Sequence, residues 1–459
     1  MSVLSVTFTN NSNVDDSAVY IGFVPGSSDA AVSIVNLKDN SAIKAVDDTG
    51  GTYPAQGNWY SLDKLPSGVG VTSFSGRVYV CYNTPWAVQR KGYEPAQAVT
   101  DPNLFLRYDK MEMTFTGAPT DVADLTSIDY WSIPMSLNTL KGGDVVGTVK
   151  GLLDGVTTQQ VFDKLNKLTT PPVSGLTGPG GVDGTPMPAL VPGQYQQYPS
   201  GPTPGTTFAR IIGPSSYPPA FPPPGAIPVT PYDLLQNYLK YLLTTFGPLT
   251  QPGAVVPGLG KGVIAHIAGN FAGVGPNVPV SGPQSKQTYD LVATIDDDLN
   301  ITLSGKTSGV QGNTTMLYKK EDLLNPTGIY GGNAPYYFNG ATSPTAPGND
   351  VYGWVGGDLF SGLNIGAVGS KAQVGASVSG GIVGAMPSQA WFALPVSSFF
   401  ANMQPDNPYY NQWAATLSNL SQAYNFAYSD RFAHVLVNLN PADVDTLEIV
   451  LDDGTVNMG

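Results

Sequence analysis

Between Val3 and Trp131 the chain alternates short apolar runs with Gly, Asn, Asp and Pro. The runs VLSVTF, VYIGFV, AVSIV, GVTSF, GRVYVCY, FLRYDKMEMTFT and LTSIDYWSIPM have strand length, and strands at this spacing build a sandwich or a barrel. The period then changes. At Thr157 to Leu168, Val161, Leu165 and Leu168 recur at helical spacing behind a Thr cap. The clearest helix has Thr230 as cap, Pro231 at its first position, Leu234, Leu235, Tyr238, Leu239 and Leu242 on one face, and Gly247-Pro248 as its stop. A second capped helix is expected from Asn407-Pro408 through Leu420, with Tyr410, Trp413, Leu417 and Leu420 on one side. Tyr289 to Leu303 and Val351 to Val383 read as β-like, the second with so many glycines that close backbone packing or wide turns are implied. AYNFAYSD, HVLVNL and TLEIVL return the chain to β.

The β character of the start resumes only after Leu420, with both capped helices in between. The expected fold is therefore mainly β with an α/β part. Residues 1–140, completed by 420–459, form a β-barrel or sandwich, and 141–419 form a mixed α/β domain beside it, the two flanking a wide groove. Within the second part, 171–231 is dense in Pro and Gly, yet it carries Tyr195, Tyr198, Phe208, Ile211, Ile212 and Phe221. Those apolar anchors predict a loop strapped to a surface.

Composition narrows the function. With 54 Gly and 40 Pro among 459 residues and only 12% charged residues, the chain is turn-rich and weakly charged. Its net charge of −13 comes with no Lys/Arg cluster, so nucleic acid and anionic membrane are poor partners and a neutral polymer fits better. The single cysteine, Cys81, forbids an intrachain disulfide and reads as a small buried thiol. No stretch reaches 18 apolar residues, and Met1 to Asn13 has neither the basic nor the apolar region of a signal peptide. No metal or cofactor motif emerges. His266 and His434 lie in apolar runs without an acidic or Cys partner nearby in sequence and read as core or interface histidines, and Asp296-Asp297-Asp298 reads as a solvated turn.

The most informative window is Arg107 to Met135. Met111, Met113 and Phe115 alternate with Glu112, Thr114 and Thr116, so one face is apolar and the other carries a carboxylate flanked by hydroxyls. In the next strand Ser127, Asp129 and Trp131 alternate with Ile128 and Tyr130, and Trp131 is expected to share the face of Asp129 as a sugar-stacking platform. A hairpin centred between Thr120 and Asp121 would put Glu112 directly opposite Asp129. Two carboxylates on such a face suit glycoside hydrolysis, one donating a proton to the leaving oxygen and one activating water or attacking carbon. Paired acids also occur on solvated β faces, so the pair alone leaves both readings open. Direct opposition favours the separation of about 5 Å found in retaining enzymes, while inversion needs roughly 6.5–9.5 Å, which diverging rotamers, a bulge or a wider loop would have to supply.

In this order, FTNNS with VYIGFV, SGRVYVCY, DPNLFLRYDKMEMTF, ADLTSIDYWSIPM and NPYYNQWAATLSNLSQAYNFAYSD resemble the landmarks of glycoside hydrolase family 64. These enzymes are β-1,3-glucanases that release laminaripentaose. The ending AYNFAYSD with TLEIVL is similar to the close of thaumatin-like proteins, whose barrel the resemblance implies for the first domain. The resemblance further implies an inverting, endo-acting glucanase that needs no cofactor or metal, acts on β-1,3-glucan, and is monomeric and secreted. The general acid falls on Glu112, with Thr114 beside it, and the general base on Asp129, with Thr126 as a hydroxyl contact. Asp430, placed like the acid of the AYSD ending, is expected near the cleft. The chain departs from the family at Gly117-Ala118-Pro119, where a Trp/Asn-bearing sugar contact would stand, and in the length of its Pro-rich strap. The rival reading is a glucan-binding or structural protein on a thaumatin-like barrel.

Overall fold

The computed structural model describes residues 2–26, 31–46, 58–65, 68–86, 94–96, 101, 103, 106–169, 189–190, 208–216, 231–247, 255–271, 287–308, 312–348, 350–373, 381–432 and 435–457. Among them the first strands are β1 (Leu4–Asn10), β2 (Val19–Pro25), β3 (Ser33–Asn36), β4 (Tyr60–Ser61), β5 (Val69–Tyr82), β6 (Arg107–Phe115), β7 (Val122–Leu125), β8 (Tyr130–Trp131), β9 (Met135–Lys141) and β10 (Asp144–Lys150). Then come α1 (Thr158–Thr169), β11 (Ala189–Leu190), β12 (Arg210–Ile212), α2 (Pro231–Phe246), β13 (Val263–Phe271), β14 (Gln287–Ile295), β15 (Ile301–Thr307), β16 (Thr314–Tyr318), α3 (Lys320–Leu323) and β17 (Tyr337–Phe338). The chain closes with α4 (Val351–Ile365), α5 (Ser388–Trp391), α6 (Gln412–Leu417), β18 (Leu436–Asn438) and β19 (Thr446–Leu451).

The largest sheet runs in the order β10, β9, β19, β1, β5, β6, β7, β18, and β10 lies against β18, so the path nearly closes into a barrel. Its seam is the parallel pairing of β1 with β19, Val6 opposite Leu447 and Phe8 opposite Ile449. The alternation seen in sequence is what fills it. Leu4, Val6, Val78, Val80, Met111, Met113, Phe115, Leu447 and Ile449 all point into one core. Each fully buried side chain of this size contributes about 1.5–3 kcal/mol. The runs GVTSF and GRVYVCY are one strand, β5, which pairs with β3 and β1 at its start and with β2 and β6 further along.

A second sheet, β13 to β17, is an antiparallel meander backed by α2, α4 and α5 over a separate large core. Thr157 and Gln160 cap α1 reciprocally, the Gln160 amide donating to the Thr157 hydroxyl at 3.2 Å and the Thr157 amide to the Gln160 side chain at 2.9 Å. The helix α2 spans Pro231–Phe246, where the sequence predicts it. The helix expected from Asn407-Pro408 starts later: Asn411 is its N-cap, accepting from the Ala414 amide at 3.0 Å, and α6 runs only to Leu417.

Two expectations are corrected. Val351 to Ile365 is helical: Asp350 caps α4 by accepting from the amides of Tyr352 and Gly353, both at 3.0 Å. Its glycines do not mark strand turns. Gly357 leaves room for the Arg431 guanidinium and Gly362 for the Trp391 ring, so helix and neighbours approach at backbone distance. AYNFAYSD is not a strand either; Tyr424 makes a single bridge to Thr126, and Ser429–Phe432 is a 3-10 turn. Of the strap anchors, Phe208, Ile211 and Ile212 are buried, and Tyr195, Tyr198 and Phe221 lie outside the described residues. No helix among the described residues is long and apolar enough to cross a membrane.

Candidate active site

β5 and β6 place Ser75 opposite Thr114, Arg77 opposite Glu112 and Tyr79 opposite Lys110, all on the face away from the barrel core. The neighbouring pair β6 and β7 places Glu112 opposite Asp124. The expected opposition of Glu112 and Asp129 is thus corrected, and the cause lies in the turn. The Asp121 carboxylate accepts from the amides of Thr116 at 2.7 Å, Gly117 at 2.8 Å and Ala118 at 2.9 Å, and from the Thr116 hydroxyl at 3.0 Å. This draws the turn tight about Ala118, with Gly117 at φ +85°, and advances Asp124 into the strand.

Asp129 then stands beyond the end of β7 and joins the same face through Lys110, whose Nζ donates to Asp129 Oδ2 at 2.6 Å. The hydroxyls of Ser215 and Ser216 donate to Asp129 Oδ1 at 3.1 and 3.0 Å, and the Gly213 amide donates to its carbonyl at 2.7 Å. The end of the strap therefore frames the acid. Lys110 is 1% exposed in its side chain and also donates to Glu94 at 2.5 Å. Glu94 receives the Tyr79 hydroxyl at 2.9 Å and a guanidinium nitrogen of Arg77, and the same Arg77 donates through Nε to Glu112 at 2.9 Å. An ionic ladder results, Glu112 to Arg77 to Glu94 to Lys110 to Asp129.

The charges follow from this ladder. Burial raises the proton affinity of Asp129, but the Lys110 ammonium and the Ser216 hydroxyl outweigh it and hold the carboxyl below its usual range. Burial likewise opposes ionisation of Glu94, and Lys110 and Arg77 overcome it. Asp124 goes the other way: burial first, then the charges of Glu112 and Asp430, push it up to about 8. Burial pushes the Asp109 carboxyl to about 7, although on the core side it accepts from the amides of Lys110, Ser132 and Ile133 at 2.8–2.9 Å.

The other sequence-derived residues divide. Thr114 stays on the polar face, its hydroxyl 2.9 Å from that of Ser75. Asp430 is exposed on its 3-10 turn and acts electrically on Asp124. Trp131 is corrected: it is 2% exposed and packs with Phe208, Val161 and Trp413, because β8 alternates between two cores and Tyr130 fills the other. Thr126, 4% exposed, lies under the Tyr424 bridge. Cys81 is fully buried, as read from its run. His266 does have an acidic partner, Asp290 at 2.8 Å across the β13–β14 pair, while His434 lies outside the described residues. Asp296 accepts from the amides of Asp298 and Asn300 at 3.0 and 2.9 Å, closing the expected turn. Among the described residues no group of three or more His, Cys, Asp or Glu has the arrangement of a metal site. Sequence reading missed Arg77, Glu94, Lys110, Asp124, Ser215 and Ser216. Lys110 was recoverable, two residues before Glu112 and so on its face; Glu94 and the serines carry no local signal.

Residues 2–212 match glycoside hydrolase family 64, described as Beta-1,3-glucanase. No curated protein is matched. Among solved structures, a GH64 beta-1,3-glucanase domain from Clostridium beijerinckii is similar at TM-score 0.56 and 12% identity, covering 98% of each chain. A laminaripentaose-producing beta-1,3-glucanase in complex with laminaritetraose is similar at TM-score 0.53 and 14% identity, covering 99% of this chain and 100% of that one. At such identities the likeness is one of fold, and it extends over nearly the whole chain. Residues 2–212 thus match the model of glycoside hydrolase family 64, and the fold of nearly the whole chain is similar to that of solved beta-1,3-glucanases of this family.

Proposed function

We propose that the protein is an endo-acting, inverting β-1,3-glucanase that releases short laminari-oligosaccharides, laminaripentaose among them, with Glu112 as general acid and Asp129 as general base. The observation that carries this reading is the place of Lys110 between the two. It binds Asp129 directly and precedes Glu112 by two residues on the same strand face. Glu112 and Asp129 are joined through a chain of ion pairs rather than set directly opposite one another, which favours the wider carboxylate separation of inverting enzymes over the retaining one.

Asp129, kept ionised by Lys110, takes a proton from a water as that water attacks the anomeric carbon. The glycosidic C–O bond breaks on the opposite side, and the leaving oxygen takes the proton of Glu112. Asp124, which keeps its own proton to about 8, stands opposite Glu112 as a neighbour able to resupply it. Thr114 and Asp430 are available to sugar hydroxyls; Thr126 and Trp131 support the site from beneath. In this reading 1–140 with 420–459, joined by β10, form a thaumatin-like barrel, and the rest of 141–419 forms the other wall of the substrate groove. The test is Glu112→Gln and Asp129→Asn on laminarin, with the anomer of fresh product read by NMR. Losses on the order of 10²–10⁴ with the α anomer appearing first support the proposal. A β anomer, or near wild-type rates in both variants, refutes it, and glucan binding without hydrolysis by the wild type favours the binding-protein reading.

A further inference from the structure

From the ladder we infer that Glu94 is a positioning residue that sets the electrical balance between Glu112 and Asp129 by dividing two cations between them. The inference rests on the proposed roles of those two acids. Glu94 is in a short segment, 94–96, outside any strand, yet it is tied down on three sides: by Tyr79 and Arg77 from β5 and by Lys110 from β6. The Asp101 carboxylate accepts from the Ala96 amide at 2.7 Å and fixes the segment itself.

The arrangement is symmetric in charge. Arg77 serves Glu112 and Glu94; Lys110 serves Asp129 and Glu94. The groups facing Glu94 are thus two cations, the Tyr79 phenol and, beyond the cations, the carboxyls of Glu112 and Asp129, with Asp124 and Asp430 further out. A carboxylate so placed draws both cations part-way off the reacting acids. Without it, Arg77 would be committed wholly to Glu112 and Lys110 wholly to Asp129, and one repelling negative charge would be gone. Both changes favour ionisation of the remaining acids.

Glu94→Gln keeps the size and the acceptor oxygen that serves Tyr79 and Lys110, and removes the charge. Both limbs of the kcat/KM profile on laminarin are then expected to move about 0.5–1 pH unit toward acid, a shift limited by the partial exposure of the group. Glu94→Asp, which keeps the charge, should leave the limbs at their wild-type positions while lowering the rate through a longer reach to Arg77 and Lys110. Carboxyl NMR titration of Asp129 in the Gln variant, which needs no turnover, should show the same acidward move; this separates the inference from the glucanase reading. If the Gln profile and the Asp129 titration superimpose on wild type, or if the Asp variant shifts as far as the Gln variant, Glu94 only braces the loop and the inference fails.

Discussion

Glu112 and Asp124 are direct cross-strand partners on β6 and β7, and burial with the charges of Glu112 and Asp430 pushes Asp124 up to about 8. Side chains so opposed have Cβ atoms about 4.5–5.5 Å apart, close enough for one carboxyl to feel the other's charge. Asp124→Asn removes that neighbour and its proton. The alkaline limb of the activity profile is expected to fall from near 8 by about two pH units, with roughly tenfold loss at neutral pH and little loss at pH 5. Profiles of variant and wild type decide it; an unmoved alkaline limb removes Asp124 from the proton path.

Lys110 carries the next expectation. It is the buried cation that keeps Asp129 ionised, so Lys110→Met should raise the Asp129 pKa and move the acid limb of the profile upward. At pH 5 the loss is expected on the order of 10², recovering as pH rises and Asp129 ionises again. A loss of equal size at pH 5 and pH 8 would show that Lys110 acts only through structure.

How much of this was legible in the sequence depends on the range of the forces involved. Alternation at Met111, Met113 and Phe115 exposes the core face of β6, because side-chain direction in a strand follows from neighbours one and two residues away. The Thr157 and Pro231 starts were legible for the same local reason. The hairpin register was not, since it depends on one aspartate, Asp121, capturing three amides behind it. A glycine-rich run such as that around Gly356 and Gly357 resembles strand and turn in isolation. It is a helix here behind the Asp350 cap, and Gly357 leaves the space that Arg431, distant in sequence, fills. Glu94, Ser215 and Ser216 reach the site only through tertiary contact, and nothing in their local sequence marks them.

Arg431 offers a test of how the turn bearing Asp430 is held. Its Nη1 lies 2.5 Å from Asp358 Oδ1, its guanidinium is 3.7 Å from the Trp354 ring centroid, and both partners of the ion pair are almost wholly buried. Asp358 is further held by the hydroxyls of Ser388 at 2.5 Å and Tyr289 at 2.7 Å. Arg431→Met leaves a buried carboxylate without its cation and should cost about 3–5 kcal/mol in urea unfolding. A cost below about 1 kcal/mol would mean that the turn is held by Phe432 and its aromatic neighbours instead.

The buried acids also fix how stability responds to pH. Burial raises Asp109 to about 7 and Asp358 to about 6 in the folded chain, against about 3.9 when unfolded. A carboxyl raised on folding contributes stability that is complete below its unfolded value and is lost as pH climbs through its folded value. The folded chain therefore binds more protons than the unfolded one from about pH 4 upward, and stability should decline at about 1.4 kcal/mol per pH unit for each group still titrating. With Asp124, raised to about 8 in the same way, three groups act up to about pH 6, two to about pH 7 and one to about pH 8. Asp129 and Glu94 act oppositely, since their lowered folded values give stability that is present above the unfolded carboxyl range and lost as pH falls. Urea unfolding from pH 3 to 8 should show a maximum between about 4 and 5 and a fall beyond it. Asp109→Asn should flatten that fall by one group's slope. A stability that rises from pH 5 to 7 would show that none of these buried acids keeps its proton in the folded chain.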